Sequence, residues 1–66
     1  MEIYVNERPY TFHLGGSLAT LVEELGCAQQ RIAVEYNGRI VPQGQYSSQL
    51  ISAGDKIEII TAVGGG

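Results

Sequence analysis

A single cysteine, Cys27, excludes an internal disulfide, and with it the cross-linked scaffolds of many small secreted domains. Cations are scarce as well: Arg8, Arg31, Arg39 and Lys56 stand apart from one another, and seven acidic residues outweigh them to a net charge of −3. Without a basic cluster, no binding to a phosphate backbone is expected. An acidic surface instead suits a partner protein carrying a basic patch. No apolar run approaches the roughly 18 residues of a membrane span, and the N-terminus lacks a signal peptide's basic and apolar regions. The expectation is a cytosolic protein with neither nucleic-acid nor membrane partners. A P-loop and a glycine-rich phosphate cradle are also missing.

The residues that could carry chemistry are isolated. His13 has no Ser, Cys or Asp arranged around it as a triad, and reads as a solvated strand residue. Cys27 has no neighbouring cation to lower its pKa and reads as a structural thiol. One cysteine and one histidine do not make a zinc site. Asp55 and Asn37 are turn residues with nothing that suggests a metal.

What the chain does have is enough apolar material for one small core: 44% of its 66 residues are hydrophobic and 17% charged. A chain this short buries only about 60% of its unfolded surface, and has little room for a catalytic pocket of roughly 300 Å³ or more. Glu2-Ile3-Tyr4-Val5-Asn6 alternates as a half-buried strand does, with Ile3 and Val5 on one face. Asn6-Glu7-Arg8-Pro9 is a polar turn, leading to a second strand from Tyr10 to His13 with Tyr10 and Phe12 inward.

Gly15-Gly16-Ser17 closes that hairpin and opens a helix with Ser17 as N-cap. Leu18, Leu21, Val22 and Leu25 form one helical stripe, Glu23 and Glu24 take the other side, and Gly26 stops the helix. Arg31 to Tyr36 predicts a strand with Ile32, Val34 and Tyr36 on one face. Asn37-Gly38 is the dipeptide most favoured for a two-residue hairpin turn, and Arg39-Ile40-Val41 is the return strand, closed by Pro42. Gln43 to Ser52 is polar and irregular, with Tyr46, Leu50 and Ile51 as anchors. Ala53-Gly54-Asp55 turns into the most β-prone strand, Lys56 to Thr61.

The order β-β-α-β-β-β predicts an α+β domain over residues 1–62: a mixed sheet of about five strands with one helix on one face. The helical crossover allows the first and last strands to lie parallel at the centre. Such a sheet clasping one helix is the ubiquitin-like β-grasp architecture. On the side away from the helix, the alternation places Tyr4 and Ile60 beside the last strand, as candidates for docking a partner.

The sequence closes on "TAVGGG", and residues 63–66 are expected to form a flexible glycine tail. Three glycines in a row resist regular structure. Extended, residues 62–66 reach roughly 17 Å at 3.3–3.6 Å each. Residues without Cβ suit a carboxylate that must enter another protein's narrow channel. A carboxylate is itself a poor acyl donor. Reaction at the α-phosphate of ATP would give an acyl-adenylate with a far better leaving group, and a sulfur nucleophile could then displace AMP to leave a thiocarboxylate. The partner must supply ATP, Mg²⁺ and the phosphate contacts. Linker remnants also end in glycine, and a ubiquitin-like interaction module that never uses its carboxylate stays open beside the carrier reading. A small enzyme does not, for want of a site.

The pieces "EIYVN", "VEYNGRIVP", "AGDKIEII" and the terminal "GG" resemble the ThiS family, the prokaryotic sulfur carriers of thiamine thiazole biosynthesis, over essentially the full length. The first three pieces encode fold; only the last carries chemistry. The resemblance implies that an E1-like, ThiF-type activating enzyme adenylates Gly66, that a sulfur donor protein helps convert it to a thiocarboxylate, and that a ThiG-type thiazole synthase receives the sulfur. Gly65 is then the companion of the diglycine pair, and Gly64 an extra glycine beside it in tail recognition. A related carrier delivers sulfur to molybdopterin from the same ending, on chains that are usually longer.

Overall fold

The computed structural model describes residues 1–61. Two strands, β1 (Glu2–Val5) and β2 (Arg8–Thr11), precede one helix, α1 (Leu18–Glu24); then come β3 (Ile32–Tyr36), β4 (Arg39–Val41), a 3-10 turn over Gln43–Gln45, and β5 (Lys56–Thr61). The five strands form one sheet in the order β2-β1-β5-β3-β4. β1 and β5 are parallel and the other neighbours antiparallel, so the two strands furthest apart in sequence meet at the centre.

Turn chemistry sets both hairpins. Asn37 and Gly38 have φ of 50° and 88°, as a two-residue turn with both central residues left-handed requires. The first hairpin turns just as tightly, through Asn6 (φ 51°) and Glu7 (φ 68°), and β2 already begins at Arg8. The expected four-residue turn is therefore too long, and β2 ends at Thr11 rather than His13. Pro9 does not prevent the early start. In this register it faces Tyr4 across the hairpin, at a position whose N–H would point away from β1.

The helix is seven residues long, too short to persist alone, and is fastened at both ends by other parts of the chain. At its start the Leu18 N–H donates to the Gln49 carbonyl (2.9 Å) and the Ala19 N–H to the Tyr46 carbonyl (3.0 Å), while Ser17 Oγ accepts from the Thr20 N–H (3.4 Å). The polar stretch after β4 is thus a cap that satisfies helix donors. At the other end Gly26 (φ 79°) lets its N–H reach the Glu23 carbonyl and the Cys27 N–H reach the Val22 carbonyl, both at 3.0 Å.

Ile3, Phe12, Leu18, Leu21, Val34 and Ile57 are wholly buried between helix and sheet, ringed by Val22, Cys27, Val41, Tyr46 and Ile51. Two expectations fail here. Leu50 is no anchor: it is 65% exposed while Ile51 is buried, because Leu50 bridges to Ser17 in extended backbone and successive side chains there point opposite ways. Glu24 does not simply face solvent. Its carboxylate accepts from the Tyr10 hydroxyl (2.6 Å) and from the N–H groups of His13 (3.1 Å) and Leu14 (2.9 Å), binding the loop after β2 to the helix.

Leu21 tests how far this core carries the domain. A chain of this size has a total stability of only several kcal/mol, and truncating a wholly buried leucine costs about 2–5 kcal/mol. Leu21→Ala should therefore lose a large share of the unfolding free energy at 25 °C in urea titrations followed by circular dichroism. A loss below about 1 kcal/mol would mean that the core closes around the gap.

Candidate functional site

Thr61, the last described residue, closes β5, the central strand, and lies opposite Ile32 of β3. Ala62, Val63, Gly64, Gly65 and Gly66 lie outside the described residues, and with them the flexible tail and the modification and recognition roles expected of its glycines. What the structure positions is the strand that leads to them and the sheet face around it.

Alternation along the strands puts Ile3, Val34 and Ile57 toward the helix and leaves the opposite face open. Tyr4 (43% exposed) and Ile60 (53%) both stand on that open face. The register keeps them apart. Tyr4 is beside Lys56, and Ile60 lies four residues further along β5, about 13 Å at 3.3 Å per residue. Between them Glu58 faces Glu35 directly across the β3–β5 pair. Ile60 instead faces Ala33, and Ile40, opposite Glu35 and 72% exposed, is the diagonal neighbour of Ala33. The open face thus has an apolar trio (Ile60, Ala33, Ile40), an acidic pair and a separate tyrosine. Ile40 was readable in advance: once Asn37-Gly38 is a two-residue turn, Ile40 must share a face with Glu35.

A shallow hollow of about 390 Å³ opens beside the acidic pair, lined chiefly by Tyr4, Glu7, Glu35, Lys56 and Glu58. Its rim is stiffened by Asp55, whose carboxylate accepts from the Tyr36 hydroxyl, the Asn37 amide (3.2 Å) and the Ser52 N–H (2.8 Å). Burial pushes the Asp55 carboxyl up, but these three donors together outweigh it and hold the group below its ordinary range. The same bond to Asp55 pushes the Tyr36 hydroxyl up. Asn37 completes the junction, its Oδ1 accepting from the Lys56 N–H at 2.8 Å.

At the far end of the first hairpin the side chain of Asn6 reaches the backbone of β5: Oδ1 accepts from the Ile59 N–H (2.7 Å) and Nδ2 donates to the Ile59 carbonyl (3.3 Å). Sequence reasoning gave Asn6 only a turn role. Cys27 is buried with its thiol 3.6 Å from the Val22 carbonyl, and burial pushes its pKa up, away from the reactive thiolate. His13 is exposed, its N–H held by Glu24. Among the described residues no cluster of His, Cys, Asp or Glu could hold a metal ion, and no helix is long and apolar enough to cross a membrane.

A five-stranded mixed sheet clasping one helix defines a ubiquitin-like β-grasp protein. The ThiS family model matches residues 2–66, and the chain belongs to that family. The crystal structure of the thiamine biosynthesis protein ThiS from Geobacter metallireducens superposes with a TM-score of 0.84 at 28% identity, over the whole of both chains. The uncharacterized protein ycf40 of Porphyra purpurea is 38% identical over 66 residues, which is 93% of its length. A thiazole synthase from Paramagnetospirillum magneticum is 35% identical over the same 66 residues. This chain spans about one fifth (20%) of the length of that synthase.

The Asp55 and Glu24 networks give the domain a defined acid response. The Tyr10 hydroxyl, helped by the two loop N–H groups and opposed by burial, holds Glu24 below its ordinary value, as Asp55 is held. A depressed folded-state pKa contributes stability that is complete above the unfolded carboxylate pKa of about 4 and is lost as pH falls through the folded value. Unfolding free energy from urea titrations should thus hold between neutral pH and about 5 and decline below about 4. Asp55→Asn should flatten that decline; an unchanged acid slope would take Asp55 out of the account.

Proposed function

We propose that this chain carries sulfur on the carboxylate of Gly66. The family match running through Gly66 is the observation that carries this reading. The Gly66 carboxylate attacks the α-phosphorus of ATP, the bond to pyrophosphate breaks, and the acyl-adenylate forms. Hydrosulfide then attacks the acyl carbon, the bond to AMP breaks, and the thiocarboxylate remains with no net redox change. ATP and Mg²⁺ are bound and used by a ThiF-type activating enzyme, so this chain is its substrate and not itself an enzyme. A sulfur donor protein supplies the sulfur in the cell.

The acceptor in this reading is a ThiG-type thiazole synthase. Support comes from the thiazole synthases of Paramagnetospirillum magneticum and Magnetococcus marinus, each 35% identical to this chain over 66 residues. Gly65 and Gly64 give the tail a width without Cβ atoms, suited to a channel shaped around bare backbone. The work is placed in the cytoplasm, where ATP and a reduced sulfur supply meet. The body of the domain docks through the open sheet face, with Ile60 in its apolar trio and Tyr4 at its far side.

Two experiments test this. Incubation with the cognate activating enzyme, ATP, Mg²⁺ and sulfide should raise the intact mass by the difference between sulfur and oxygen. Deleting Gly66, or extending the chain beyond it, should abolish the change without altering the far-UV spectrum, since about 1 Å of misplacement can cost on the order of 100-fold. Retained modification in the deletion variant would remove Gly66 as the modified residue, and a wild-type chain that gains no mass would leave an interaction module as the better reading.

Docking is checked separately. Ile60→Glu should weaken binding to the activating enzyme about tenfold or more, as loss of one interface anchor does, with the melting temperature nearly unchanged. Equal affinity would remove Ile60 from the interface.

A further inference from the structure

β1 and β5 form the parallel centre of the sheet, yet they are in register over only Tyr4↔Lys56 and Val5↔Ile57. The chain of β1 then turns away at Asn6, whose N–H makes the last main-chain bond of this edge, to the Ile57 carbonyl (2.9 Å). β5 continues to Thr61, still paired with β3 on its other side. On the abandoned side, the Ile59 N–H and carbonyl are both taken by the Asn6 side chain, at 2.7 and 3.3 Å. A primary amide carries the same donor and acceptor as a peptide unit. It therefore stands in for one further residue of β1.

The choice of residue has a second constraint. Asn6 has φ of 51°, a left-handed conformation that asparagine tolerates better than most side chains. Glycine would suit the turn equally well but has no amide to offer. Aspartate would keep the acceptor for the Ile59 N–H and lose the donor to its carbonyl. Only asparagine serves both the turn and the strand.

We infer that Asn6 is a positioning residue for Gly66: by holding Ile59 from the β1 side, it steadies the direction of the end of β5. The inference rests on the carrier reading. Ile59 is seven residues before Gly66. Without the amide, β5 is held on its β1 side only as far as Ile57, and beyond that point it is held by β3 alone, through Thr61. A strand end held on one side only swings more widely, so the carboxylate beyond it reaches the attack geometry less often once docked, although the docking face is unaltered. Loss of Asn6 should thus lower turnover and leave binding alone.

The test uses the full chain with its cognate activating enzyme, ATP, Mg²⁺ and sulfide. In Asn6→Gly, which keeps the turn, amide exchange at Ile59 should speed up about tenfold, as expected for one lost hydrogen bond, with Val34 and Ile57 still protected. The kcat for thiocarboxylate formation should drop about tenfold, with KM within about twofold of wild type. Asn6→Asp should fall between the two in both readouts, and it provides the comparison if the glycine variant folds poorly. Unchanged exchange at Ile59, or faster exchange with unchanged kcat, overturns the inference while the carrier reading stands. Wild-type chain that takes up no sulfur overturns the carrier reading and this inference together.

Discussion

The parallel pairing of β1 with β5 is the constraint on which the rest of this domain depends. It joins the first strand to the last, closing a loop of nearly the whole chain, and every other element is placed by reference to it. The entropy of that closure must be offset by few bonds, since the strands share only two register positions. Those bonds are therefore supplemented from the flanks: the Tyr4 N–H donates to the Asp55 carbonyl just before β5, and Asn6 extends the pairing by both backbone and side chain. With the centre closed, the helix has a continuous apolar floor of Ile3, Val34 and Ile57 to lie on.

Because the helix is short, the domain spends its irregular segments on holding it. The backbone carbonyls of Tyr46 and Gln49 receive the first helix donors, and the Glu24 carboxylate gathers the loop between β2 and the helix. These segments thus orient the helix across the sheet on one face and leave the opposite face uncovered. There Glu35 and Glu58 stand directly across from each other, an arrangement that disfavours the isolated fold.

The parts that were legible in the sequence are those whose signal is local. Asn37-Gly38 specifies its turn by φ alone, the stripe from Leu18 to Leu25 specifies the helix, and Gly26 its end. What escaped depends on backbone or on distant partners. Carbonyls that cap a helix leave no mark in the residue types that carry them, and the inversion of Leu50 and Ile51 follows from a one-residue bridge to Ser17. Tyr4 and Ile60 were assigned to the correct face, but a face is a matter of parity whereas separation is a matter of register, and no local pattern reports the register of two strands fifty residues apart. The carboxylate chemistry is an expectation drawn from the terminal glycines and from the family resemblance, and Gly66 itself lies beyond the described residues.

The chain has two prolines, and the sheet has two edges. Pro9 sits in β2 where a backbone donor would otherwise point outward, and Pro42 follows immediately on the three residues of β4. Neither edge offers a long unbroken row of donors and acceptors to another strand. Copies of the protein crowded together thus have little means of adding to one another's sheets, and fibrous stacking is discouraged at both sides by a single residue each. Strand addition between copies is in this way disfavoured at both edges by the described fold itself.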